Sequence, residues 1–265
     1  MRVDHSLNRL ALPQVTLCAV TSVNVPATIR ALERSMAQIH FAACKLFTDS
    51  QIVPTPIGIT VIKIPRLSSA AAYSDFILNN LVEQIDTPHC LITQWDGHVV
   101  DASKWQSGFL DFDYIGARWP QFSDGHDVGN GGFSLRSRRL MEACKSPKFQ
   151  GSHPEDVAIG RVNRDWLERL GMRFANGAMA DSFSAERKGS VESSFGFHGV
   201  WHMPNVIGRD QFWNVYSTLN DRSTIRHDLF KLAASLSQST QGLKRAAQLI
   251  VDQGRDAIQK RIKML

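Results

Sequence analysis

From residue 14 onward, the chain alternates short apolar runs with amphipathic stretches, and this alternation is the strongest constraint on its fold. A helix is predicted to begin at Pro26, since proline favours the first helical turn, and a second helix is predicted over 70–86. The apolar runs predict buried strands at 14–20, 44–48, 57–64 and 90–93. Strands that alternate with helices of this length are typical of an α/β fold with a mainly parallel sheet.

The composition excludes several other classes of protein. The chain has 265 residues, of which 43% are hydrophobic and 21% charged, so it can bury a core without metal or disulfide support. Its four cysteines form no C-x-x-C pair, which argues against a zinc knuckle or a redox motif. The uncharged N-terminal stretch at 10–29 contains two prolines and resembles neither a membrane span nor a signal peptide. We therefore expect a cytoplasmic protein.

Basic charge is concentrated at the C-terminus. Residues 221–265 contain nine basic and four acidic residues, which accounts for the whole net charge of +5. Because residues 1–220 are neutral overall, the sequence does not predict a general nucleic-acid-binding surface. The pattern predicts one domain over 1–220 and a basic amphipathic helical tail over 221–265. That tail could contact an anionic membrane surface, cap the domain, or form a homodimer.

Polar residues follow the predicted strands at Thr21, Asp49 and Asp96. In open α/β sheets, ligands bind beyond the carboxyl ends of the strands. Asp96, which is followed by a glycine, could bind a divalent cation, because Mg²⁺ and Mn²⁺ favour carboxylate oxygens. The alternative interpretation is an aspartate that stabilises a turn.

Three further features have both a functional and a structural interpretation. The run Gly-Asn-Gly-Gly at 129–132 allows close approach of the backbone to a ligand, or it forms an ordinary turn. Glu155 and Asp156 are suited to acid–base chemistry, or they stabilise a helix N-terminus. His198, which lies between aromatic residues and glycines, is a candidate metal ligand or a hydrogen-bonded core histidine.

The order of these features is more specific than any one of them. It resembles a bacterial family of GT-A-type glycosyltransferases associated with surface polysaccharide synthesis, over roughly residues 14–205, and more loosely the fringe and β1,3-galactosyltransferase families. The segments that carry the resemblance are Gln94-x-Asp96, DYIGA at 113–117, VGNGGFSLR at 128–136, EDV at 155–157 and GFHG at 196–199.

The resemblance implies a role for each acidic residue and for the histidine. Asp156 would be the catalytic base and Glu155 an acid that orients the acceptor, while Asp96 and His198 would bind Mn²⁺ or Mg²⁺. The sequence departs from the usual Asp-x-Asp motif, because Gln94 stands at its first position. The implied substrate-binding residues are Thr21, Ser22, Gln94, Trp95, Asn130, Gly131 and Gly132.

The function implied is transfer of a sugar from a nucleotide-diphosphate donor, with a UDP-sugar favoured, to a glycan or lipid-linked acceptor. We expect a metal-dependent, inverting enzyme with a GT-A-like sheet, located in the cytoplasm or peripherally on the inner face of the membrane. The alternative is a non-catalytic sugar-nucleotide or glycan-binding module on the same fold. A nucleotidyltransferase would need two carboxylates near the metal, and Gln94 counts against it.

Overall fold

A computed structural model describes residues 9–238 and 241–262, with the side chains of 259–262 left out of the description. The described chain divides into two compact units, one ending at His198 and the other beginning at Gly199. The predicted division at residue 220 falls inside the second unit, and it stays a prediction.

The first unit is built on a sheet of six strands within the described residues, with spatial order β3-β2-β1-β4-β7-β6. Neighbours from β3 to β4 pair in parallel, whereas β7 runs antiparallel to both β4 and β6. This confirms the predicted α/β fold with a mainly parallel sheet. The strands are β1 (Leu10–Val20), β2 (Ile39–Thr48), β3 (Thr60–Lys63), β4 (His89–Thr93), β6 (Tyr114–Ile115) and β7 (Phe133–Ser137).

Helices cover both faces of this sheet, because alternate residues of its strands are apolar on opposite sides. Leu17 of β1 belongs to the same core cluster as Leu32 of the first helix, while Cys18 belongs to a cluster with Ile77 of the second. The helices of this unit are α1 (Val25–Gln38), α2 (Ala70–Asn79), α3 (Arg138–Cys144), α4 (Glu155–Val157), α5 (Arg164–Arg169) and α6 (Gly177–Phe183).

The first unit also contains a small second sheet of three short strands, within the described residues. Its order is β5-β9-β8, with β5 antiparallel and β8 parallel to β9. Its strands are β5 (Gly97–Val99), β8 (Ser184–Ala185) and β9 (Gly196–His198). This sheet fixes the position of His198, which is the last residue of β9.

Two predicted strands were too short, because β1 begins at Leu10 and β2 at Ile39, and two other predicted elements were too long. The strand expected over 57–64 begins only at Thr60, because a turn with Gly58 at φ 77° precedes it and leaves Ile57 exposed. The helix expected over 70–86 ends at Asn79 and is followed by a 3-10 turn at Leu81–Gln84. The predicted helix start near residue 26 is confirmed.

The second unit is helical, as the apolar spacing after residue 224 predicts. Its buried side chains include Phe212, Tyr216, Leu232 and Leu249. Its helices are α7 (Met203–Val206), α8 (Arg209–Tyr216), α9 (Leu229–Ser237) and α10 (Gly242–Ile262). No helix in the described part of the chain has the length and apolar character needed to cross a membrane.

Candidate active site

A cavity of about 610 Å³ opens at the carboxyl end of β4. Because β7 runs antiparallel to β4 and pairs Phe133 with Thr93, the residues before β7 meet the residues after β4 at this edge. The cavity is lined by Ala70, Tyr73, Gln94, Trp119, Pro120, Gln121, Asn130, Gly131, Gly132, His153, Pro154, Glu155, Asp156, Glu186, Arg187 and His198. Seven of the eleven sequence-predicted site residues therefore share one cavity.

His198 stands between acceptors on both of its ring nitrogens. Nε2 lies 3.4 Å from Asp96 Oδ1 and 3.3 Å from Gln94 Oε1, and Nδ1 lies 3.3 Å from Glu186 Oε1. Burial favours the neutral ring, but the Asp96 and Glu186 carboxylates oppose it and raise the pKa of His198 to about 10. The predicted proximity of Asp96 and His198 is therefore observed.

Strand pairing produces this contact. In the β5–β9 pair, Gly97 is opposite His198, and a Cβ on Gly97 would lie 2.7 Å from the Phe197 carbonyl oxygen. The Gly97 N–H donates to the Gln94 carbonyl at 3.2 Å, which closes the turn that carries Asp96. Gly97 is therefore required by the packing of this strand pair.

The donors around Nε2 suit a hard divalent cation. Two ligand atoms on one Mg²⁺-sized ion are about 3 Å apart when each lies about 2.1 Å from it, close to the separations of Nε2 from Asp96 Oδ1 and Gln94 Oε1. Asp96 Oδ1 is also buried without a hydrogen bond to any described residue. A carboxylate, an imidazole and an amide oxygen therefore fit Mn²⁺ or Mg²⁺ at this point.

The space beside each glycine of the 129–132 run is occupied by another side chain of the protein. A Cβ on Gly129 would lie 1.9 Å from the Trp119 ring, one on Gly131 would lie 2.1 Å from Glu155 Oε1, and one on Gly132 would lie 2.1 Å from His198 Nε2. Asn130 has φ 61°, and its Oδ1 accepts from the Gly132 N–H at 3.0 Å. These glycines make room for side chains of the site, which is neither of the two interpretations of the sequence, close approach to a ligand or an ordinary turn.

Glu155 forms a buried ion pair. Its Oε1 accepts from Arg136 Nη2 at 2.9 Å, and the two side chains are 6% and 1% exposed. Ser74 Oγ donates to Glu155 Oε2 at 3.3 Å and accepts from the Glu155 N–H at 3.2 Å. The observed contacts give Glu155 a structural partner, and its predicted role in orienting an acceptor stays a prediction.

Asp156 lines the cavity and is partly exposed. Its Oδ2 accepts from the Gly131 N–H at 3.2 Å, and its Oδ1 accepts from the Val157 N–H at 2.8 Å. Burial and the neighbouring Glu155 carboxylate raise the pKa of Asp156 above its ordinary value, despite these two hydrogen bonds. A fixed carboxylate with a raised pKa is suited to act as a general base.

Four predicted site residues do not line this cavity. Asp96 is buried next to His198, and Trp95 is also buried. The Thr21 hydroxyl donates to the Val23 carbonyl, while Ser22 Oγ accepts from the Leu67 N–H at 2.9 Å. The predicted nucleotide contacts of Thr21, Ser22 and Trp95 stay predictions.

Several cavity residues were missed by the sequence analysis. Glu186 follows β8 in a segment without strand-like alternation, so no local pattern marks it. Tyr73 lies on the predicted second helix, and its hydroxyl accepts from Gln94 Nε2 at 3.2 Å. Trp119 and Arg187 also line the cavity. The two glycines that face Trp119, Gly129 and Gly160, are the signal that could have identified it.

A separate group on the surface has potential ligand atoms within 4.8 Å of one another. It consists of His126, Asp165 and Glu168, and both carboxylates are exposed. The Glu168 carboxylate already accepts from Arg164 Nε at 2.7 Å. Because exposed acidic groups are common without an ion, we assign no site to it.

The fold and the cavity define the class of this protein as an α/β protein with a candidate ligand site at the carboxyl end of a central parallel strand. Residues 57–198 match the family described as "protein of unknown function (DUF5672)", and the chain belongs to that family. The match includes the glycine run, Asp156 and His198. No curated protein matches the sequence significantly.

Solved structures with a similar chain path include three glycosyltransferases. The mannosyltransferase PcManGT from Pyrobaculum calidifontis, in complex with GDP-Man and Mn²⁺, is 11% identical with a TM-score of 0.45, over 94% of this chain and 76% of that one. A glycosyltransferase involved in glycosylation of the major capsid of PBCV-1 is 13% identical with a TM-score of 0.45, over 77% and 99%. S. aureus TarS 1–349 with UDP-GlcNAc is 10% identical with a TM-score of 0.41, over 84% and 72%.

Proposed function

We propose that this protein is a glycosyltransferase that transfers a sugar from a nucleoside-diphosphate donor, with a UDP-sugar favoured, to a hydroxyl of a glycan or lipid-linked acceptor. The proposal rests on the observation that one cavity contains the Asp156 carboxylate, Gln94 and His198, and that His198 contacts both Gln94 and Asp96. A general base and a set of donors for a divalent cation are the two components that such a reaction needs.

Asp156 is assigned the role of general base. The carboxylate takes the proton from an acceptor hydroxyl, whose oxygen forms a bond to the anomeric carbon of the donor. The bond from that carbon to the diphosphate oxygen breaks, and the nucleoside diphosphate leaves with the bonding electrons. Attack from the face opposite the leaving group inverts the configuration. The raised pKa of Asp156 brings the base closer to neutral pH, where proton transfer is most effective.

Asp96, His198 and Gln94 are the residues that would hold Mn²⁺ or Mg²⁺. A divalent cation bound there would neutralise charge on the leaving diphosphate. Glu186 would hold the Nδ1 proton of His198 and leave Nε2 free to act as a ligand, as second partners of metal-binding histidines do. Gln94 adds no charge, so this donor set is less negative than one built on two aspartates.

The resemblance of the motif order to GT-A-type glycosyltransferases is a second support, and it does not depend on the cavity. In its most specific part, GNGGFSLR at 129–136, residues 130–132 line the cavity. Residues 133–136 belong to β7, the strand that pairs with β4. The same resemblance supports a role in surface polysaccharide synthesis on the cytoplasmic side of a membrane.

A non-catalytic module that binds a sugar nucleotide or a glycan is the second candidate. The glutamine at position 94, in place of the first acid of the Asp-x-Asp motif, is the observation that favours it. The glycosyltransferase and a sugar-nucleotide-binding module both bind the donor and differ in donor turnover, whereas a glycan-binding module does not need the donor.

A thermal-shift screen of nucleoside-diphosphate sugars, with and without Mn²⁺, tests the donor binding that a glycosyltransferase or a sugar-nucleotide-binding module requires. Stability rises with the logarithm of ligand concentration over Kd, so a true donor raises Tm progressively with concentration. We expect a Mn²⁺-dependent shift with one donor class, which Asp96→Asn reduces. If no sugar nucleotide shifts Tm in the presence of either cation, the glycosyltransferase and the sugar-nucleotide-binding module both fail, and a glycan-binding module is the candidate left.

A further inference from the structure

The outward face of α10, in the second unit, carries an exposed apolar stripe. Leu243 is 79% exposed, Ile258 is 61% exposed, and Ile250 and Val251 are each 46% exposed. Their spacings of seven and eight residues place them on one side of the helix. The small residues Ala247 and Gly254 belong to the same side and are also exposed. A continuous apolar stripe along a surface helix is typical of an interaction surface.

The opposite side of α10 is already engaged within the second unit. Leu249 is fully buried, and Asp252 Oδ2 accepts from the Tyr216 hydroxyl at 2.9 Å. Asp256 lies 3.7 Å from the guanidinium of Arg222. In the described part of α10, both acidic residues are therefore used in contacts with the unit itself.

Two basic residues in the described part of α10 have a different arrangement. Lys244 and Arg255 are exposed and eleven residues apart, which is three helical turns, so they share one side of the helix. Val251, which is seven residues after Lys244 and four before Arg255, belongs to the same side. The apolar stripe is therefore bordered by positive charge, and the acidic residues of the helix lie away from that border.

The combination of an apolar stripe with positive charge along its border indicates what binds to this side of α10. A second copy of the helix would bring Lys244 and Arg255 to the interface without acidic partners from its own α10. Lipid phosphates supply the missing negative charge, and a bilayer interface accepts the apolar side chains. We propose that α10 lies in the plane of an anionic lipid surface, with its stripe at the headgroup boundary and Lys244 and Arg255 at the level of the phosphates. This proposal does not depend on the proposed activity.

Vesicle sedimentation of the whole protein tests it. We expect binding to phosphatidylcholine vesicles that contain phosphatidylglycerol, weak binding to phosphatidylcholine alone, and loss of binding at high salt. Lys244→Gln combined with Arg255→Gln weakens binding about 25-fold, at about fivefold for each charge. Leu243→Ser combined with Ile258→Ser weakens it about tenfold or more.

The matched control removes the same charge elsewhere. Lys63→Gln combined with Lys148→Gln changes two exposed lysines of the first unit and leaves binding unchanged. Equal loss in this control would make the binding a net-charge effect and overturn the proposal. A dimer that Leu243→Ser with Ile258→Ser dissociates, without vesicle binding, would also overturn it, as would binding of nucleic acid alone. Sugar transfer to a soluble acceptor is measured separately, so that a failure of vesicle binding is distinguished from a failure of the proposed activity.

Discussion

The ring of His198 packs directly against Gly132: a Cβ on residue 132 would lie 2.1 Å from Nε2 of the histidine. The glycine comes directly before β7 and the histidine ends β9, so two sheets meet at this point. The same ring nitrogen contacts Asp96 and Gln94. The absence of a side chain at Gly132 therefore permits the arrangement of donors on which the candidate cation site depends.

Gly132→Ala is predicted to displace His198 from Asp96 without unfolding the protein. Because the new methyl group would overlap the ring, we expect Mn²⁺ affinity to fall by at least about tenfold. Isothermal titration with Mn²⁺ measures this effect. Gly108→Ala is the control, since a Cβ there meets its nearest neighbours at an ordinary 3.8 Å. Unchanged Mn²⁺ affinity in Gly132→Ala would separate this glycine from the cation site.

Glu186→Ala is predicted to weaken Mn²⁺ binding about 10–100-fold, because the ring of His198 loses the acceptor on Nδ1. Glu186→Gln keeps an acceptor oxygen and should recover part of the affinity. Titration of Mn²⁺ into each variant provides the measurement. Glu192→Ala, at an exposed position in the same segment, should bind as the native protein does. Equal affinity in Glu186→Ala and Glu192→Ala would argue against the positioning role.

The rate of sugar transfer is predicted to rise with pH over the acidic part of the pH profile. The base must be ionised, and burial together with Glu155 raises the pKa of Asp156, so the rise occurs above the range of an ordinary aspartate. Kinetics of kcat/KM against pH measure it. The raised pKa also means that ionisation of Asp156 lowers stability as pH rises, so Asp156→Asn should not be destabilising at neutral pH. A strongly destabilised Asp156→Asn would indicate a structural role.

Glu155→Ala is predicted to act on stability. Removal of this carboxylate leaves the Arg136 guanidinium buried and unpaired, which costs about 3–5 kcal/mol. Urea unfolding measures the loss. Glu142→Ala, which breaks an exposed pair with Arg138, should cost less than about 1 kcal/mol. Similar losses in the two variants would contradict the assignment of Glu155 to a buried structural pair.

The parts of the site that local patterns predict are those that follow strands or begin helices. Asp96 and Asp156 stand at such positions, and the alternation of strands and helices indicates which edge of the sheet they share. Glu186 could not be found this way. It reaches His198 because β8 pairs in parallel with β9, and Ala185 pairs with Phe197, so the next residues along the two strands are neighbours. Pairing between two very short strands leaves no alternation in the sequence.

The glycine run shows a second limit of sequence reasoning. Glycine at positions 129, 131 and 132 indicates a turn or a close approach of the backbone to another group, but it does not show which group lies there. The structure places Trp119, Glu155 and His198 there. Long-range packing determines these partners, and each lies at least ten residues away along the chain.

Donor turnover tests the central claim most directly. The protein is incubated with the sugar nucleotide selected by thermal shift, Mn²⁺ and an acceptor, and release of the nucleoside diphosphate is followed. We predict turnover by the native protein and a loss of about 10²–10⁴-fold in Asp156→Asn, with Asp111→Asn, at an exposed aspartate, unaffected. Full turnover by Asp156→Asn, or donor binding by the native protein without any release of nucleotide, would contradict the account.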